Sequence, residues 1–312
     1  MNFIRMKPVF FVIVVSAFIV PPAAIAQHSR QSGQSKPADI RIQIEKLAAS
    51  SRGVVGVAFS ALEDGRSFSY NGERHLPMQS VYKFPIAMCV LNRVDKGLLH
   101  LDDRVRVEKS DLFPAPGHSP IRDAHPDGGF KISLRELLRY AVSESDGTAS
   151  DVLLRVIGGP DVVTTYLRGL GVTGVIVATT EKQMAAGEKV QYRNWATADQ
   201  SVLLLKKFAE GKGLSDSSHE LLLSLMTATG TGIHRLKGEL PEGTVVAHKT
   251  GTSGTSRGLT RATNDIGIIS LPGGRHLLIA VYVSDSTASE QQREAVIAKT
   301  ARIAWDWAIR EK

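Results

Sequence analysis

A single cysteine in 312 residues means that no internal disulfide can brace this chain. That residue, Cys89, stands nine positions after Ser80. On a shared helix this is half a revolution, so the thiol is expected to face the core. No H-x-x-x-H pair or Cys/His cluster occurs, and no G-x-x-x-x-G-K run. Neither a metal site nor a phosphate-cradling loop is indicated, and no cofactor is expected. An apolar run long enough to span a bilayer is also missing: Val9 to Val20 falls short of the roughly twenty residues required. Blocks of like charge are absent. The 38 Lys and Arg are scattered among 31 Asp and Glu, so the formal charge of +7 does not suggest nucleic acid and is better explained by a positive site for an anionic ligand. No internal repeat is visible.

What is present begins with a processing signal. Arg5 and Lys7 precede the short apolar run, and Pro21-Pro22-Ala23-Ala24-Ile25-Ala26 ends it, which is the layout of a secretory signal. Cleavage is expected after Ala26, giving a secreted or periplasmic protein without stable membrane insertion. The residue directly after the site is Gln27 and not cysteine, so no lipid anchor is expected. Gln27 to Pro37 is polar and is expected to be a flexible leader.

The remainder changes period twice. Asp39 to Ala49 has helical spacing through Ile40, Ile42, Ile44, Leu47 and Ala48. Val54 to Ala61 and Arg66 to Tyr70 suggest strands joined at Asp64-Gly65. From Ser80 to about Leu225 the pattern is helical. It includes a capping box at Ser133 to Glu136, a helix from Asp146 to Ile157 stopped by Gly158-Gly159, and a Pro160 start. Gly174 to Asn194 is non-periodic. Thr244 to Lys249, Asp265 to Leu271 and His276 to Val283 are β-rich, and Ala288 to Ile309 closes the chain as a helix with Ala295, Ile297, Ala298, Ile303 and Trp307 along one side. Strands at both ends with helices between predict an α/β (α+β) fold. Residues 38–75 and 230–312 would form a discontinuous domain, an antiparallel sheet with packed terminal helices. Residues 76–229 would form an all-α domain, with a ligand cleft between the two.

Three short motifs carry chemistry. In Gln79-Ser80-Val81-Tyr82-Lys83, hydroxyl and amine stand three apart. If a helix starts at Ser80, they emerge on one face, a nucleophile beside a candidate base. Alone, the pair could equally be a helix cap followed by a solvated lysine. Ser145-Asp146-Gly147 opens a helix, and Lys249-Thr250-Gly251-Thr252 ends a strand; each alone is a common turn or strand end. The order and spacing of all three match S-x-x-K, S-D-N and K-T-G, the marks of class A β-lactamases and penicillin-binding proteins.

Over nearly all of its length after Ala26 the sequence resembles a class A serine β-lactamase of the PER/VEB-like extended-spectrum branch. The likeness rests on Val142-Ser143-Glu144-Ser145-Asp146, Glu181-Lys182-Gln183-Met184, Gln191-Tyr192-Arg193-Asn194-Trp195 and Ala247-His248-Lys249-Thr250-Gly251-Thr252-Ser253-Gly254. The resemblance implies a β-lactamase/transpeptidase-like fold, small-molecule β-lactam substrates and a monomer. It casts Ser80 as the acylated nucleophile, Lys83 as its proton partner, and Ser145 as the donor to the lactam nitrogen. The backbone N–H groups of Ser80 and Thr252 would form the oxyanion hole. Lys249, Thr250 and Thr252 would bind the substrate carboxylate. Arg235 would be a second anchor for it, unless it is an ordinary surface arginine. Glu181, on an Ω-loop at about residues 176–195, would activate water for deacylation, with Glu188 as second choice.

The sequence also departs from the pattern of the family. Gly147 replaces an Asn whose amide would contact Lys83 and the acylamino group of the substrate. Ala185 replaces an Asn that helps hold the water. The usual Arg–Asp clamp of the loop maps onto Thr179 and Asn194, which suggests a rearranged loop, a wider cleft and acceptance of bulky oxyimino cephalosporins. Gln79 and Ser253 stand where some carbapenem-hydrolysing relatives have a cysteine pair, so strong carbapenemase activity is not expected. His118 is a candidate gatekeeper at the cleft mouth or an ordinary loop residue. The alternatives are a penicillin-binding DD-peptidase that deacylates β-lactams slowly, and a binding protein that does not hydrolyse them.

Overall fold

The structure is a computed structural model and describes residues 37–310. The signal segment with its cleavage site, and the leader up to residue 36, lie outside the described residues. Pro37, assigned to the leader by composition, instead opens helix α1, Pro37–Ser50. A proline fits there because the first N–H groups of a helix have no partner within it. Ile40, Ile44 and Ala48 form the buried stripe of α1, whereas Ile42 is exposed. The expected stripe was too wide: positions i, i+4 and i+8 share a face and i+2 does not.

Strands β1, Val54–Ala61, and β2, Ser67–Tyr70, form the expected hairpin. Gly65 has φ +70°, and the Asp64 carboxylate accepts the Arg66 N–H. After a short strand β3, Leu76–Pro77, comes a 3₁₀ turn, Gln79–Tyr82, and then α2, Lys83–Asp95. The helix expected from Ser80 therefore begins three residues later, with the serine in the tighter turn that leads into it.

The middle of the chain is mainly but not wholly helical. A hairpin of β4, Arg104–Val107, and β5, Phe130–Ser133, flanks the short helix α3, Pro120–Ala124. The alternation in Arg-Val-Arg-Val is a strand signal that four residues made easy to miss. Then come α4 (Leu134–Val142), α5 (Gly147–Ile157) and α6 (Pro160–Gly169), with the predicted capping box at Ser133. A small three-stranded sheet joins β3 to β6, Val175–Ile176, and β7, Trp195–Ala196, around α7, Glu181–Ala185. Helices α8, Ala198–Ala209, and α9, Asp216–Thr227, follow.

The chain then returns to the main sheet with β8 (Val246–Thr252), β9 (Thr255–Ser256), β10 (Leu259–Leu271) and β11 (Arg275–Ser286), and ends in α10, Glu290–Ala308. The order is β2-β1-β11-β10-β8, antiparallel throughout, with β9 paired to β10. β10 begins six residues before its expected start, because Arg261, Thr263 and Asn264 are buried polar residues that hydropathy patterning reads as loop. One face of the sheet packs on α1 and α10 through Val57, Phe59, Ile279, Val281, Ile297 and Trp305. The other face joins the helical core through Ala58, Ile266, Leu278, Ala280 and Tyr282. The stripe of α10 lies on Val296, Ile297, Ala301, Ala304, Trp305 and Ala308, so Ile303 and Trp307 are only partly buried.

Candidate active site

The 3₁₀ turn that carries Ser80 is pressed against β8. A Cβ at Gly251 would overlap the Met78 carbonyl oxygen, so only glycine lets the strand come this close. Asn264 on β10 fastens the same turn by donating to the carbonyls of Pro77 (2.8 Å) and Met78 (3.1 Å). Two residues here have left-handed backbone, Gln79 (φ +47°) and Ser145 (φ +59°). Such conformations are uncommon outside glycine and cluster at functional sites.

From this frame the predicted residues converge. Lys83, 1% exposed, donates to Ser80 Oγ at 3.0 Å and to the Ser145 carbonyl at 2.6 Å. Its Nζ also lies 2.9 Å from Glu181 Oε1. That contact is an ion pair without hydrogen-bond alignment, and it leaves the buried Oε1 with no aligned donor. On the other side, Lys249 Nζ donates to Ser145 Oγ at 2.9 Å and to the Thr250 carbonyl at 3.2 Å. Burial, and then the charge of Lys83, push the Lys249 amine well below its ordinary value. Thr250 Oγ1 is 2.6 Å from Thr231 Oγ1.

Arg235 is buried, not a surface arginine. It pairs with Glu294 at 3.0 Å, donates to the carbonyls of Gly251 and Asn264, and reaches Thr252 Oγ1 at 2.8 Å. Ser80, Lys83, Ser145, Glu181 and Thr252 line one cavity of about 450 Å³, with Lys249 and Arg235 a layer behind its wall. Glu188 is half exposed and pairs with Arg261. His118 is on the rim, with Nε2 at 2.8 Å from the Glu144 carbonyl oxygen. Gln79 donates to Gln191 at 2.7 Å, and Ser253 Oγ accepts the Ala262 N–H at 2.9 Å.

Four supports were not visible from sequence. Asp146 caps α5 by accepting the Ala149 N–H. It also accepts from the Ile121 N–H and the Ser119 hydroxyl, which fixes the motif serine next to it. Asp151 accepts the N–H groups of Glu181 (2.7 Å) and Lys182 (3.1 Å), and burial pushes its carboxyl up to about 6. His248 on β8 and Asp265 on β10 form a fully buried pair at 2.9 Å across the two strands. Phe113 lies against Gly147 and lines the cavity. Asp146 stands inside a short motif but its partners Ser119 and Ile121 do not, and the other three supports belong to none, so long-range partners identify these roles.

The loop clamp is replaced, not lost. Asn194, fully buried, accepts the Ala178 N–H (2.8 Å) and the Thr179 N–H (3.0 Å) and donates to the Thr179 carbonyl (2.9 Å). One neutral amide thus makes these three hydrogen bonds, and a fourth to the Met184 sulfur at 3.5 Å, at the position of the usual charged pair.

Residues 39–308 match a family described as the Beta-lactamase enzyme family. Among curated proteins, the chain is 42% identical over 272 residues to the extended-spectrum β-lactamase PER-1 of Pseudomonas aeruginosa, covering 87% of this chain and 88% of that protein. It is 38% identical over 271 residues to β-lactamase VEB-1 of the same organism, covering 86% and 90%. Among solved structures, a β-lactamase from Chitinophaga pinensis superposes with a TM-score of 0.84 at 47% identity, covering 86% of this chain and 99% of that one. The TLA-1 extended-spectrum β-lactamase gives 0.85 at 44%, covering 88% and 99%. Matches of this length and identity, on a chain that gathers all three motifs around one cavity, place the protein in the β-lactamase enzyme family, as a class A member of the PER/VEB branch.

Proposed function

We propose that the protein hydrolyses the β-lactam amide of penicillins and cephalosporins through an acyl-enzyme on Ser80, and so confers β-lactam resistance. The observation that supports this most directly is that Ser80, Lys83, Glu181 and Ser145 share one cavity, with Lys83 contacting Ser80 and Glu181 and with Lys249 bonded to Ser145 from behind its wall. Ser80 Oγ attacks the lactam carbonyl, and its proton passes to the Lys83–Glu181 pair. The N–H groups of Ser80 and Thr252 receive the charge that develops on oxygen. As the C–N bond breaks, the Ser145 hydroxyl protonates the leaving nitrogen and is resupplied with the proton that the Lys83–Glu181 pair took from Ser80, while Lys249 holds Ser145 Oγ by its hydrogen bond. Lys249, Thr250, Thr252 and Arg235 form the carboxylate end of the site. Glu181 then takes a proton from water, which attacks the ester and frees Ser80.

A DD-peptidase reading is weaker, because a buried carboxylate touching the lysine and facing the cavity supplies the base that deacylation requires. The clamped loop does not by itself widen the cleft. Acceptance of oxyimino cephalosporins is proposed from the kinship with extended-spectrum enzymes alone. No helix among the described residues is long and apolar enough to cross a membrane. Export by the signal ending at Ala26 and a monomeric state complete the proposal, with the cleft formed where the sheet-bearing chain ends meet the helical middle.

Mass spectrometry and nitrocefin kinetics test it together. Ser80→Ala should show no mass shift with a penicillin. Glu181→Ala should accumulate a shift equal to the whole substrate, with hydrolysis at least about a hundredfold slower. Wild-type enzyme that gives only a stoichiometric burst would sink the hydrolase reading.

A further inference from the structure

Gly147, in the motif next to Ser145, does not leave an empty space. A Cβ built there would meet Phe113 Cδ1 at 2.6 Å and Cγ at 2.9 Å, and one built at Gly117 would overlap the same ring. Phe113 therefore lies between two residues that must be glycine for it to fit. It is 8% exposed, and the cavity that holds Ser80 opens onto it.

Its backbone is held at both ends. The Phe113 N–H donates to Thr148 Oγ1 at 2.9 Å, and that hydroxyl is 2.7 Å from Ser119 Oγ within the Asp146 cluster. Arg122 donates to the carbonyls of Phe113 (2.9 Å) and Gly117 (2.7 Å), closing the loop on itself. The Gly147 N–H is already committed to the His118 carbonyl at 3.0 Å. This wall of the cavity thus offers an aromatic ring on an anchored loop and no side-chain amide.

A β-lactam with its carbonyl at Ser80 and its carboxylate towards Lys249 and Thr252 carries its acylamino group on the opposite side of the ring. Phe113, Pro116, Gly117 and His118 from one loop, and Met184, Ala185 and Gln191 from another, contribute to the cavity lining available to it. We infer that Phe113 is a specificity-determining residue for the acyl side chain, and that its ring selects β-lactams whose acylamino substituent is itself aromatic.

The inference rests on the β-lactamase reading, and two penicillins separate the two claims: one with a phenylacetyl side chain, the other with a straight-chain hexanoyl group. The readout is the ratio of their kcat/KM values. An aromatic pair adds about 0.5 to 1.5 kcal/mol beyond simple burial, so Phe113→Ala should lower the ratio about two- to tenfold. Most of that should appear in KM, because ring contacts form before the chemistry. Phe113→Leu keeps apolar bulk without a ring and should shift the ratio in the same direction, which guards against a folding defect in the alanine variant. A ratio within about 1.5-fold of wild type in the leucine variant overturns the inference while hydrolysis stands. If wild-type enzyme turns over neither penicillin, it is the β-lactamase reading that fails.

Discussion

At the scale of single residues, two side chains make opposite demands on their surroundings. Gly147 must be small because a ring occupies the place of its side chain. Gly147→Ala should therefore cost about 1 to 3 kcal/mol through overpacking. The same change in a Phe113→Ala background should cost much less, since the clash is gone. Urea unfolding of the four proteins measures that coupling, and additive effects would show that the ring is not what excludes a larger residue. Asp151 must stay buried while it accepts two N–H groups at the start of α7. Its folded value of about 6 lies above the ordinary 3.8, so the native state holds the proton more tightly than the unfolded chain. Its contribution is then fully present below about pH 4 and lost as pH rises through 6. Asp151→Asn has no such titration. Wild-type stability relative to that variant should fall by about 2 kcal/mol between pH 4 and pH 7. A flat difference across that range would show that Asp151 keeps an ordinary value in the fold.

Among elements, those with a regular period were legible and those fixed by a distant partner were not. The hairpin at Asp64-Gly65, the capping box at Ser133 and the Gly158 stop are local chemistry, and each stands where the sequence put it. Helix α2 was misplaced because the segment leading into it is pinned at Pro77 and Met78 by Asn264, nearly two hundred residues away in sequence. Ser80, Lys83, Ser145 and Lys249 were legible for the same reason as the caps: short motifs fixed their positions. Glu181 came only with the resemblance, and its support by Asp151 has no short-range signal. The loop from Val177 to Asn194 shows the limit most clearly. Losing a charged clamp suggested a rearranged loop and a wider cleft, yet the Asn194 amide satisfies two N–H groups and a carbonyl in a fully buried setting. Removing it strands those groups at about 1 to 3 kcal/mol each. Asn194→Ala should lower the melting temperature by several degrees and speed hydrogen exchange at Ala178 and Thr179 by at least tenfold. Unchanged exchange would mean that the loop is held from elsewhere, with Tyr192–Asp285 and Glu188–Arg261 the first candidates.

For the molecule as a whole, the deciding fact is that the main sheet has no face to itself. One face is covered by α1 and α10, from opposite ends of the chain, and the other is continuous with the core of the central helices. Tyr282 in β11 illustrates the second contact. It is fully buried among helical residues, its hydroxyl is 2.8 Å from Ser201 on α8, and burial raises it far above the usual phenol value. Neither the helices nor the sheet can retain their apolar surface in the absence of the other, and the described residues belong to a single compact unit. The cavity depends on the same union, because Ser80 and Glu181 come from one part and Thr252 from the other. Thermal unfolding should therefore be a single transition, with calorimetric and van't Hoff enthalpies agreeing within about 10%. Loss of nitrocefin hydrolysis should follow the same curve. Tyr282→Phe, which leaves the Ser201 hydroxyl without this partner, should move the whole transition down by a few degrees without splitting it. Two resolved transitions, or activity lost well before the far-ultraviolet signal, would mean that the sheet and the helices are separate folding units docked against each other.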